Sequence, residues 1–439
     1  MAHRGARPRS LLASSGALRT SVRADTGRLL TVKLLGMAGE GAFQAGMGAL
    51  VLFSPERATT PGEIALGFAV LLLPYSVLGP FAGALLDRWD RRRVLTGANL
   101  ARAAIALAAT AALATAAPTA VLLVLALVSV AISRFVAAGV SAALPRTVPA
   151  DRLVATNSVF VTSGAVATSL GASAALTLLG LAGATDRAAA APVTAAAVLS
   201  AAAALWALRF APGLLGPDPD SGPGGDGESA LRAVAAGLRA GASAVWHAPT
   251  VTGVLIAIGA HRIAFGVDTL ILVLVLRETD DGAAGIIGFG TTVAVAAAGM
   301  FLAAVLTPLL LRTRRRIPVV LGALAVAAAV QIAVLPVLST PALLVGAFGL
   351  GCAGQVVKLT GDVAMQTDVP DHRRGQVFSL QDTVFNLAFV AALAAAAAVV
   401  PADGHAPGLI AAMGLCHLAA IAVVAVNSRL RPDPAAQTR

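Results

Sequence analysis

Residues 78–95 read LGPFAGALLDRWDRRRVL. An uncharged run, residues 65–86, ends here at Asp87 and gives way to five closely spaced charges, and a second apolar run begins at Val94. A soluble helix does not carry some twenty uncharged residues and then switch polarity so abruptly. A membrane span leaving the bilayer on its cytoplasmic side does. Gly79 and Gly83 stand at i and i+4 and share a helix face, which lets a neighbouring helix approach closely. Pro80 can kink the span.

Composition extends this reading to the whole chain. Of 439 residues, 57% are apolar and 12% charged, against about 25% charged in a soluble domain. Mean hydropathy is +0.83, which points to a polytopic membrane protein. The net charge of +10 does not point to nucleic acid, because the arginines lie between apolar runs and serve as topology signals. Cys352 and Cys416 fall inside apolar runs and form neither a disulfide framework nor a zinc site. No metal ligand set, phosphate loop or nucleophile–base arrangement is present, so neither a cofactor nor an enzyme activity is expected.

Twelve spans are expected, at about 29–53, 65–86, 94–116, 119–144, 157–183, 191–211, 251–276, 285–311, 317–338, 341–366, 377–400 and 407–427. The fold class is therefore all-α integral membrane, in two six-helix halves. Residues 1–28 form an arginine-rich tail, expected to be disordered and cytoplasmic. Residues 29–211 form the first bundle. Residues 212–250 form a cytoplasmic linker, with a flexible acidic part (212–228) and an amphipathic helix from Ser229 to Trp246. Residues 251–427 form the second bundle, and 428–439 a cytoplasmic tail.

With both termini inside, 24 of the 32 Lys and Arg fall on the cytoplasmic side. Three lie outside (Arg57, Arg187, Arg277) and five within spans (Lys33, Arg102, Arg134, Arg262, Lys358). That bias fixes the orientation. Trp89, Trp206 and Trp246 all fall near the expected cytoplasmic interface. The halves look like repeats. Leu66-Gly67-Phe68 echoes Ile287-Gly288-Phe289, and Arg91-Arg92-Arg93-Val94 echoes Arg314-Arg315-Arg316-Ile317, with a register slip of two residues.

The residues Gly83, Asp87, Arg88, Asp90, Arg91 and Arg92 resemble the signature loop of the major facilitator superfamily, which joins spans 2 and 3. The match departs at Asp90, where the family has Gly, so a positive φ there would be strained. The resemblance implies twelve helices around a midplane site that alternates its access. It also implies a gate, with Asp87 on the N-terminus of span 11 and Arg91 paired with an acid of its own half. Asp87→Asn is then expected to insert normally and lose transport; full transport by that variant removes the gate role. Leu144–Leu153 with Asn157, and Pro370–Val377, resemble the loops of exporters similar to the enterobactin exporter, within the drug and metabolite efflux branch.

Charges at mid-bilayer cost at least about 2.5–3.5 kcal/mol each, so each needs a reason. Glu40 lies about 16 Å into span 1, with Gln44 one turn on. Arg134 is its expected partner from span 4, where the family's exporters carry an Arg, although Gly139 stands five residues later rather than four. Span 5 lacks the Gly-Pro pair associated with antiporters. His261 and Asp268 share a face of span 7, while Arg262 points elsewhere. Span 10 aligns Gln355, Lys358, Asp362 and Gln366, with Lys358 and Asp362 able to pair. Span 11 opens with Gln381, Asp382 and Asn386. Together these residues suggest a water-lined path with a proton-titrating acid, Glu40 first among them. The alternative for Lys358–Asp362 and His261 is that they only fix packing.

The expected protein is a monomer in the plasma membrane that exports a small amphipathic molecule in exchange for protons. An uptake permease and a non-transporting scaffold or sensor are the rival readings. Aromatic residues make up only 4% of the chain, so a cavity walled by aromatic rings is not expected.

Overall fold

The computed structural model describes residues 9–53, 60–70, 89–149, 152–182, 185–216, 230–277 and 282–431. Thirteen helices are present among them: α1 (Arg9–Phe53), α2 (Pro61–Val70), α3 (Arg91–Ala114), α4 (Thr119–Thr147), α5 (Leu153–Ala182), α6 (Asp186–Ala207), α7 (Ala230–His247), α8 (Pro249–Arg277), α9 (Gly282–Thr313), α10 (Arg316–Ala333), α11 (Thr340–Asp368), α12 (Asp371–Ala397) and α13 (Pro407–Leu430). Ten are long and apolar enough to cross a membrane. The helical part of span 1 and α2 occupy the other two expected places. Among the described residues there is no strand, and the architecture is all-α, as expected. Spans 1–6 are α1–α6, α7 is the linker helix, and spans 7–12 are α8–α13.

α1 corrects one expectation. It begins at Arg9, so the tail read as disordered continues into the helix of span 1. Ala, Leu, Ser and Arg make up twelve of residues 9–23, and no proline interrupts them after Pro8. A helix already nucleated by the packed span extends into such a segment at little cost.

The helices interlock through small residues. A Cβ on Gly41 of α1 would lie 2.0 Å from the Thr168 carbonyl oxygen of α5, and one on Gly171 of α5 would lie 2.0 Å from that of Ala38. The second half repeats the crossing between α8 and α12, where a Cβ on Gly266 would stand 2.6 Å from the Phe389 oxygen. Close backbone approach of this kind is what drives helix association in lipid, where burial of apolar surface contributes little. Large apolar side chains such as Leu181 and Phe301 instead point outward and are mostly exposed, as lipid-facing residues should be.

α4 and α11 are each 29 residues long and end before Val148-Pro149 and Val369-Pro370. In this register Arg134 of α4 stands where α11 carries Gln355. The halves meet chiefly where the end of α5 packs on the start of α9. A Cβ on Gly180 would lie 3.1 Å from Ile287 there. Phe68 of α2 also meets Phe389 of α12 edge to face, with centroids 6.2 Å apart. Both contacts belong to the end of the bundle, or to the half next to that end, that is poor in arginine. Among the described residues, no helix pair of comparable packing joins the halves at the arginine-rich end.

α7 does not simply lie free in an interface. Arg373 of α12 donates to the Ala240 carbonyl at 3.4 Å, and Gly241 packs against the Gln376 backbone. Arg431 donates to the Trp246 carbonyl and sits over its ring at 4.6 Å. The linker helix is therefore strapped to the second half.

Candidate functional site

Glu40 is buried in the first half, and its carboxylate accepts from Arg134 Nη2 across from α4. Gln44 Nε2, one turn along α1, donates to the same oxygen at 2.9 Å. The Glu40 side chain is 4% exposed and that of Arg134 20%. Two opposite charges have thus left water together, which is tolerable only because each neutralises the other and both keep hydrogen bonds. Lys33 lies on the same face of α1, nearer the arginine-rich end, with its ammonium 5.7 Å from the Phe160 ring centroid.

The second half supplies a different polar set. Lys358 donates to Asp362 at 2.8 Å, and Gln381 of α12 donates to the other Asp362 oxygen at 3.1 Å. Asp382 is exposed and lies within electrostatic reach of both Lys358 and Asp362. The Asn386 amide donates to the Asp382 carbonyl of its own helix at 2.9 Å. Gln355 is half-buried on α11.

His261 and Asp268 do share a face of α8, but the structure corrects where that face points. His261 is buried, with Nδ1 3.3 Å from His417 Nε2 of α13, and a Cβ on Gly354 of α11 would collide with its Nε2. His417 Nδ1 lies 2.9 Å from the Met413 carbonyl. That carbonyl can only accept, so His417 Nδ1 carries the proton. His417 Nε2, when neutral, is then the acceptor for His261 Nδ1–H. Asp268 takes a hydrogen bond from Gln331 of α10, while Asp268 Oδ1 and Gln331 Oε1 are buried without partners. These residues face α10, α11 and α13, inside the second bundle rather than along the path between halves. The sequence reading missed Gln331 and His417, although each is a polar residue in the middle of an otherwise apolar stretch.

Arg262 is the other surprise. Its guanidinium carbon lies 3.9 Å from the Phe385 ring centroid, 4.5 Å from that of Phe389 and 5.2 Å from that of Phe265. Its Nε donates to the Phe385 carbonyl at 3.1 Å. With Phe68 against Phe389, four of the fourteen phenylalanines gather at the seam. The expectation from composition was that no cavity walled by aromatic rings would form; what the structure shows is rings gathered on one guanidinium, because a percentage says nothing about where rings converge.

At the signature loop, Gly83, Asp87 and Arg88 lie outside the described residues. Asp90 caps α3: its φ is −56° and its carboxylate accepts from the Arg92 backbone at 2.9 Å. The strain expected from replacing Gly is absent, because an N-cap residue suits Asp with an ordinary negative φ. Arg91 donates to the Leu215 carbonyl at 3.0 Å, and Arg92 to that of Leu208 at 3.0 Å, so both staple α3 to the segment after α6. In the corresponding loop of the second half, Arg316 meets both oxygens of Asp368 at 2.7 Å. Arg102 is buried and donates to the Gly36 carbonyl at 3.0 Å, an anchor between α3 and α1.

Comparison with known proteins follows the same lines. The sequence profile described as Major Facilitator Superfamily matches residues 34–428. Uncharacterized MFS-type transporters of Mycobacterium tuberculosis and Mycobacterium bovis are each 45% identical over 408 residues, covering 92% of this chain and 91% of theirs. Among solved structures, a POT family transporter in complex with a thioalcohol-conjugated peptide superposes with a TM-score of 0.66 at 13% identity, over 92% of this chain and 96% of that one. A bacterial homologue of the iron transporter ferroportin in an inward-facing state gives 0.64 at 16% identity, over 92% and 98%. At such identities the likeness is one of fold.

Proposed function

The chain belongs to the major facilitator superfamily and is a multi-pass membrane transporter of that type, not an enzyme, and from this premise we propose that it exports a small amphipathic compound across the plasma membrane in exchange for protons. The observation that carries the reading is the buried Glu40–Arg134 pair with Gln44 beside it. A proton delivered to Glu40 cancels its charge and loosens its hold on Arg134, so the helices α1 and α4 that carry the pair can rearrange. Substrate and proton thereby favour different arrangements of the same helices, and that difference is what an exchange cycle needs.

In this reading the arginine-rich end faces the cytoplasm, so both termini are cytoplasmic and the halves are closed toward the outside. Glu40, Gln44 and Arg134 line the path from the first half. Lys358, Asp362, Asp382 and Asn386 line it from the second. Gly83, Asp87, Arg88, Asp90, Arg91 and Arg92 hold the cytoplasmic gate. His261 and Asp268 serve a buried polar cluster, and the protein works as a monomer.

The test is proton flux in inverted membrane vesicles. The lumen is pre-acidified, amphipathic compounds are added, and a lumenal pH dye is read. Deacidification on adding a compound is the expected result. Silence across a wide panel, together with compound uptake by intact cells, replaces export with the permease reading.

A further inference from the structure

Arg262 stands at the middle of α8 (Pro249–Arg277) and is half-buried at the seam where Phe68 of the first half meets Phe389 of the second. The other cations deep in the spans have acid or carbonyl partners: Arg134 has Glu40, Lys358 has Asp362, and Arg102 has the Gly36 carbonyl. Among the described residues Lys33 has only a ring beside it, but it lies near the arginine-rich mouth. Arg262 is different. Among the described residues no carboxylate lies within 4.0 Å of its guanidinium, and its one hydrogen bond to the protein uses Nε. The two terminal nitrogens keep their donors, in the planar fork that matches a carboxylate. Three phenylalanine rings lie beside the fork, with centroids 3.9, 4.5 and 5.2 Å from the guanidinium carbon.

A cation held at this depth without a protein counter-charge costs several kcal/mol unless something else supplies the charge. A ring face moderates that cost but does not accept the fork's hydrogen bonds. The site therefore has one charged contact for an anion and an aromatic wall for an apolar body.

We propose that Arg262, Phe265, Phe385 and Phe389 form the binding site for the transported compound, and that this compound is an amphipathic carboxylate whose acid group takes the Arg262 fork while its apolar or aromatic body lies on the rings. This rests on the transport reading above and names its substrate class. It also separates two jobs: Glu40–Arg134 in the first half for the proton, and Arg262 in the second for the substrate.

The test is direct binding to the purified protein in nanodiscs, measured by calorimetry, with 4-phenylbutyrate and its uncharged amide as matched probes. Wild type is expected to bind the carboxylate about tenfold or more tightly than the amide, the margin of a charge-assisted bidentate contact. Arg262→Gln is expected to bind the two equally. Arg262→Lys keeps part of the preference, because the charge remains and the fork is lost. Phe385→Leu weakens both probes together and leaves their ratio unchanged. Glu40→Gln keeps the preference. Absence of carboxylate-selective binding in wild type, or selectivity that survives Arg262→Gln, overturns the proposal. Size-exclusion profiles of each variant show whether it has folded, and Phe385→Leu with Arg262→Lys carries the test if Arg262→Gln has not. If neutral compounds drive proton flux in vesicles and no carboxylate binds, this inference falls and the export reading stands. If carboxylates bind selectively and vesicles stay silent, the reverse holds.

Discussion

Proton-linked flux is expected to fall at least a hundredfold in Glu40→Gln, while the variant still inserts. The substitution is nearly isosteric. Its amide oxygen can still accept from Gln44 Nε2, which now donates to Glu40 at 2.9 Å. What it removes is the charge. Arg134, with its side chain 20% exposed, then keeps its charge in low dielectric without the Glu40 carboxylate opposite it. Breaking a buried pair from one side costs about 3–5 kcal/mol, most of it the penalty of the stranded charge. A fall in flux alone would therefore not separate a coupling role from simple destabilisation. Glu40→Gln/Arg134→Gln separates them. The double variant removes the stranded cation and is expected to recover thermal stability in detergent toward wild type, with flux still absent. Recovery of both would make the pair a packing device. Wild-type flux in Glu40→Gln alone would move the proton to Asp362, Asp382 or Asp268.

The pairing itself was legible in the sequence, because an acid and a cation at mid-span in an otherwise apolar chain have few ways to exist apart from each other. The same logic fixed Lys358–Asp362, an i,i+4 pair now seen at 2.8 Å. The ends of the spans were legible from charge, since residues such as Arg91 and Arg316 sit at or beside the first turn of a helix. What escaped were features that depend on which faces of distant helices converge. His261 and Asp268 share a face, as their spacing requires. Only packing decides that this face looks at Gln331 and His417 instead of the seam. Arg262, read as a path residue pointing away from the His261–Asp268 face, points at the seam for the same reason. Asp90 looked like a misfit when judged by the residue it replaces, and becomes a helix cap once its backbone is known. Sequence patterns along one helix are local, and a site built from three helices is not.

The largest effect on stability is expected at a position with no chemistry at all. Gly41 follows Glu40 directly, and its Cα faces the backbone of α5. A methyl group there would meet the Thr168 oxygen at 2.0 Å and the Ala172 nitrogen at 3.0 Å. From the other side, Gly171 would meet the Ala38 oxygen at 2.0 Å. The obstacle in both cases is backbone, which cannot rotate away as a side chain would. Ordinary contact begins at 3.4 Å, so Gly41→Ala has to push α1 and α5 apart. Overpacking of a close-packed interior costs about 1–3 kcal/mol, occasionally more, even when side chains can yield, and here they cannot. Gly41→Ala and Gly171→Ala are each expected to lose most of their folded protein on heating in detergent, well below the wild-type midpoint. Gly322→Ala in α10 is the control, because nothing lies within 4 Å of its would-be Cβ; a helix interior gains about 0.5–1 kcal/mol from that change. The crossing also sets the function. Displacing α1 at Gly41 moves the neighbouring Glu40 relative to Arg134 on α4, so whatever Gly41→Ala protein survives should transport poorly at any temperature. A Gly41→Ala variant with the wild-type melting midpoint would mean that α1 and α5 do not cross this tightly, and that the Glu40–Arg134 pair is held by α4 and α6 instead.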